Sequence, residues 1–150
     1  MKTHVGQRSR TALVAAGLAS AAILLAARPA LSHHSFAAEF DGTQPVTLRG
    51  TITKLDWVNP HGWVYIDVKG EDGTLVNWAV ETGGPNALLR QGVRKTDFPI
   101  GTEVIVSGYR AKNRTARANA RTLTFPDGRA FFAGSSGTGA PKDGADKTEK

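Results

Sequence analysis

From residue 46 onward, apolar and polar positions alternate along the chain. Val46, Leu48 and Ile52 are separated by Thr47, Arg49, Thr51 and Thr53, the period of two of a strand with one buried face. The phase then slips, so that Leu55 and Trp57 carry the apolar signal. Together with Gly50 the slip predicts a bent or bulged first strand, as small barrels require. Asn59-Pro60-His61-Gly62 reads as a turn by composition. Trp63 to Val68 follows as a second strand, with Val64, Ile66 and Val68 on one face and Trp63 and Tyr65 on the other. Gly70-Glu71-Asp72-Gly73 predicts a hairpin into Leu75 to Glu81, where Val76, Trp78 and Val80 share the face expected in the core. Thr82-Gly83-Gly84-Pro85 breaks the pattern, Asn86 to Gln91 suits a short helix, and Gly92 ends it. Pro99-Ile100-Gly101 leads into a fourth strand, Val104 to Tyr109, and Ala118 to Phe125 is a fifth. Pro126-Asp127-Gly128 turns the chain into a final Ala130-Phe131-Phe132.

The order strand, strand, strand, short helix, strand, strand predicts an all-β fold. It matches a small five-stranded OB-like Greek-key barrel with one short helix between strands 3 and 4. Evenly spaced short strands also suit a small sandwich, but the helix position and the bent first strand favour the barrel. The barrel is expected over residues 46–133, after an N-terminal segment of residues 33–45. From Gly134 to Lys150 the chain is Gly, Ser, Pro and charge, a composition expected to remain disordered.

The N-terminus follows another pattern. Lys2, Arg8 and Arg10 precede an apolar run from Ala12 to Ala27, closed by Arg28-Pro29. The run is shorter than the roughly 20 residues that span a bilayer. Ala30 and Ser32 occupy the −3 and −1 positions of a signal-peptide cleavage site. Residues 1–32 are therefore expected to be removed on export. The mature chain would begin near Ser32/His33, periplasmic or secreted and without a stable membrane span. Four of the positive charges behind the net +6 lie in this leader, which carries no acid, so the mature chain is close to neutral at about +2. That balance argues against nucleic acid as a partner. With no cysteine, and its single methionine at position 1, the mature chain offers no sulfur ligand and no disulfide.

The segments HHSFAAEFD (33–41), PVTLRGTITKLDWVNPHGW (45–63), NWAVE (77–81), PNALLRQG (85–92) and VSGYRAK (106–112) resemble a family of small exported bacterial proteins catalogued as a domain of unknown function. The resemblance covers nearly all of the mature chain and implies a periplasmic location, but it implies no activity. A looser likeness to secreted bacterial OB-fold proteins rests on strand order and on the Gly101 to Gly108 entry to the fourth strand.

The candidate chemistry begins at the cleavage site. A terminal His33 would offer an amine and an imidazole to one metal ion, with His34 or His61 adding a further nitrogen. Imidazole suits Cu, Zn and Ni, and copper(II) or another divalent metal is the cofactor this arrangement points to. The plainer reading is a solvated polar terminus and a His61 that only fills a turn. Trp57, Trp63 and Tyr65 gather around the Asn59–Gly62 loop, where exposed aromatics could stack on a periplasmic ligand. They could equally cover a sheet. Arg110, Lys112, Arg114, Arg117 and Arg121 form a basic stretch, read as a solvated loop or an anion site. Glu39, Asp56 and Glu81 have no spacing that fixes a catalytic pair, and the familiar catalytic and nucleotide-binding motifs do not occur in the chain. The reading favoured is an exported ligand-binding protein without catalysis, its partner a small ligand or a periplasmic protein. Two alternatives stay open, a copper-dependent oxidative enzyme with a histidine-brace site and a metal-free glycan- or protein-binding adaptor.

Overall fold

Strand β1 runs from Phe40 to Asp56 and bends where the sequence slips phase. Its register against β2 (His61–Lys69) shifts between Ile52 and Lys54. The structure, a computed structural model, describes residues 36–134, 140 and 141. The first half of β1 pairs antiparallel with β4 (Glu103–Ala111), and its second half pairs with β2. A tight turn closed by the Gly70 N–H to Thr74 carbonyl bond joins β2 to β3 (Leu75–Gly83). β5 (Arg117–Thr124) pairs with β4, and β6 (Ala130–Phe132) pairs with β5.

The resulting order is β3-β2-β1-β4-β5-β6, with an additional parallel pairing of β3 to β5 through Ala79, Val80 and Glu81. Each of β1 to β5 thus has a neighbour on both sides. Pro85–Arg90 forms a short helix between β3 and β4, as the pattern predicts, and a 3₁₀ turn follows at Lys95–Asp97. The fold is all-β and mostly antiparallel. The described residues contain six strands where five were expected, because Ala130–Phe132 adds to the free side of β5.

The core lies where the alternation puts it. Ile52, Val64, Ile66, Val80, Val104, Val106 and Leu123 are almost fully buried, and Leu88 of the helix closes one end. Each such side chain contributes roughly 1.5–3 kcal/mol on leaving water. Two expected core positions are less buried than the pattern predicts. Val76 is 40% exposed, and Trp78 is only partly buried. β5 reaches β3 only at Ala79–Glu81, so the first residues of β3 lack that neighbour. Trp78 still packs against the edge of the core, with the Arg110 guanidinium 5.3 Å from its ring.

The segment ahead of the expected barrel is ordered. Phe36–Glu39 forms one helical turn, and Phe40 starts β1 opposite Ala111. Asp41-Gly42, a dipeptide that could fold this segment into a hairpin on Val46–Gly50, lies instead in an irregularity of the β1–β4 register between Phe40 and Pro45. Phe36 packs edge-on against Tyr109 at 5.4 Å and meets Phe40 at 5.8 Å, forming a second apolar cluster with Ala111. This strap, Phe36–Phe40, lies beside the end of β4. In the expected tail, Gly134 is buried and Ala140 packs against the strap cluster; positions 135–139 and 142–150 lie outside the described residues. Among the described residues, no helix is long and apolar enough to cross a membrane.

Candidate functional site

Period-two alternation turns His61, Trp63 and Tyr65 away from the face of β2 that carries Val64 and Ile66. Cross-strand register then adds the neighbours. Glu81 lies opposite Trp63, and Asn119 lies opposite Glu81 across the parallel β3–β5 pairing. Arg117, two residues before Asn119, is on the same face. One outer face of the sheet therefore collects His61, Trp63, Glu81, Arg117 and Asn119.

His61 is the first residue of β2, not part of the turn that its composition suggested; Asn59 and Pro60 alone make the bend, joined by a cis peptide. This bend rests on the entry to the short helix. A side chain at Gly84 would collide with the Pro60 carbonyl oxygen and lie 2.8 Å from Asn59 Oδ1. The absence of a β-carbon lets the two segments meet and seats His61 beside β3.

The centre of the face is a buried pair. His61 Nδ1 lies 3.2 Å from Glu81 Oε1, and both side chains retain little exposure, 14% and 12%. Asn119 Nδ2 donates to the same oxygen at 3.5 Å. Burial pushes the Glu81 carboxyl up to about 7, and the nearby negative charge of Glu39 adds to the rise. Arg117 and the Asn119 bond act against it by favouring the carboxylate. Glu39, the last residue of the strap's helical turn, forms an ion pair with Arg117 at 3.1 Å. The guanidinium of Arg117 also lies over the Trp63 ring at 4.9 Å. The strap is thus tied to the strand that supports Glu81.

The other candidates fall in different places. Trp57 belongs with the core, its ring 5.9 Å from that of Phe98. Tyr65 donates its hydroxyl to Asp56 at 3.1 Å, and Lys54 lies over its ring. His33 and His34 lie outside the described residues. Among the described residues, no three His, Asp or Glu side chains group as a metal site. The basic stretch is not a solvated loop throughout. Arg110 covers Trp78, Lys112 donates to the Ala37 carbonyl, and Arg117 pairs with Glu39. Arg121 is buried, with its guanidinium over Phe132.

Glu81, Asn119 and the Glu39–Arg117 pair were not singled out as one site from sequence. Strand alternation could have placed His61 with Trp63 and Tyr65. The link from residue 81 to residue 119 depends on a parallel pairing that local pattern does not carry.

A family model described as a family of unknown function, DUF6152, matches residues 20–120. No curated protein and no solved structure matches the chain.

Proposed function

The chain belongs to that family of unknown function, and from the site we propose that it is an exported protein that binds a divalent metal, copper(II) by preference. In this reading residues 1–32 are a cleaved signal peptide and the mature protein is periplasmic or secreted. Its scaffold is an OB-like barrel, β1 to β5, closed by the β3–β5 pairing with the helix between β3 and β4. His33 supplies its amine and imidazole, and His61 or His34 supplies another nitrogen.

The observation that carries the reading is the course of the strap. A segment folded back as a hairpin would have left His33 far from His61. Instead Glu39 reaches Arg117 at 3.1 Å, and its charge is felt by Glu81, the partner of His61. His33 lies three residues before Phe36, a reach of about 10 Å at ~3.3 Å per residue. A chelate of amine and imidazoles without sulfur suits Cu(II) better than softer ions. The adaptor alternative has less support, because Arg117 already occupies a face of Trp63.

Calorimetric titration of the exported protein with Cu(II) tests the proposal. One ion should bind, and one extra residue ahead of His33 should weaken binding by converting the amine into an amide. His61→Ala should weaken it separately. Equal affinity in the extended variant would refute the N-terminal site, and an uncleaved Met1 terminus by intact mass would refute the export step.

A further inference from the structure

We infer that Glu81 is a positioning residue: it holds His61 in the Nδ1–H tautomer and so presents Nε2 as the metal-binding nitrogen. This inference rests on the metal reading above but concerns a feature that can be measured without metal. The His61 Nδ1 to Glu81 Oε1 separation, 3.2 Å, is a hydrogen-bond distance. At pH 8.5 Glu81 is a carboxylate and can only accept, so the proton of this contact belongs to Nδ1. The opposite nitrogen, Nε2, is then the one that offers a lone pair. A carboxylate behind a ligating imidazole fixes ring orientation and raises the basicity of the coordinating nitrogen.

The surroundings of Glu81 suit this role. Its carboxylate is fixed by Asn119, which is itself buried, and Arg117 supplies a compensating positive charge. Backbone pairing holds both sides of the contact: His61 is in register with Gly83, and Glu81 is in register with Trp63 and Asn119. The imidazole is therefore oriented by two strands rather than by a loop. Such precision is unnecessary for a histidine that merely fills a turn.

Nitrogen-15 NMR of the metal-free exported protein at pH 8.5 reads the tautomer directly. The wild type should show His61 protonated on Nδ1, against the Nε2–H preference of imidazole in water. Glu81→Ala should return His61 to the solution preference and weaken Cu(II) binding by about 10–100-fold, the usual cost of losing such a partner. Glu81→Gln keeps an oxygen acceptor and guards against misfolding of the alanine variant; it should retain the Nδ1–H form and lose less affinity. An Nε2–H tautomer in the wild type, or an unchanged tautomer in Glu81→Ala, overturns the inference. Cu(II) affinity indifferent to His61→Ala would instead remove His61 from the metal site, while the NMR result still decides the role of Glu81.

Discussion

Glu81→Gln should stabilise the metal-free protein at pH 8 and leave its stability unchanged near pH 4.5. In the folded chain, burial and the nearby Glu39 lift the Glu81 carboxyl from 4.5 to about 7. Below about pH 4.5 both folded and unfolded states hold the proton, and its linkage to folding vanishes. Between 4.5 and 7 the unfolded chain releases the proton while the folded chain retains it, so stability falls as pH rises. Above about 7 the loss is complete. At ~1.4 kcal/mol per pH unit, the rise corresponds to about 3 kcal/mol. This is a ceiling, because any positive charge on His61, 3.2 Å away, would favour the carboxylate. Glutamine has no proton to lose in this range and keeps an oxygen to accept from Asn119. Urea unfolding followed by tryptophan fluorescence in the presence of a chelator gives both stabilities by linear extrapolation. Wild type and variant should coincide near pH 4.5 and diverge by up to about 3 kcal/mol at pH 8. A parallel pair of pH profiles, or a variant less stable than wild type at pH 8, would refute the reasoning.

Other expectations follow from packing. Ile66→Ala, which empties a fully buried core site, should cost about 2–5 kcal/mol in the same unfolding assay, whereas exposed Val76→Ala should change stability by less than about 0.5 kcal/mol. Truncation after Ala133 removes Gly134 and the packing of Ala140 on the cluster of Phe36, Phe40 and Ala111, so limited proteolysis should then cut the strap faster; truncation after Pro141 should not have this effect. Glu39→Gln breaks the ion pair with Arg117, a partly exposed contact worth at most about 1 kcal/mol. It should loosen the strap in proteolysis while barely moving the unfolding midpoint.

The scaffold was legible because each strand carries its own evidence. The alternation of Val64, Ile66 and their neighbours, and the phase slip after Ile52, correspond to an observed buried face and an observed register shift. The short helix followed from the break at Thr82–Pro85 and the stop at Gly92, and it begins one residue earlier than expected, at Pro85. What local pattern missed depends on contacts between distant residues. Val76 and Trp78 share a face with Val80, yet their burial is decided by where β5 begins, about 40 residues further on. Residues 36–45 look like a linker because their two phenylalanines are absorbed by Tyr109 and Ala111 rather than by the main core. The His61–Glu81 pair shows the same limit: each residue is ordinary in its own strand, and their meaning comes from the contact.

The two faces of these strands also explain why the polar site needs the strap. Val64, Ile66, Val80, Ala118 and Ala120 fill the inner face completely, so polar groups of the same strands must lie outside. An outer face in open water would not hold a carboxylate such as Glu81 near neutrality, since exposed carboxylates titrate near 4. Its burial therefore requires cover, and on that side Glu39 of the Phe36–Phe40 segment pairs with Arg117, while Phe36 and Phe40 anchor the segment beside Tyr109 and Ala111. A segment that only shielded the sheet could do so with apolar contacts alone. This one places an acid against the strand that carries Asn119, and the same strap leads back to His33 and His34 within a few residues. The acid of the strap thus bears on the buried carboxylate, and altering it by Glu39→Gln should let the Glu81 carboxyl fall back toward its ordinary value while the sheet survives.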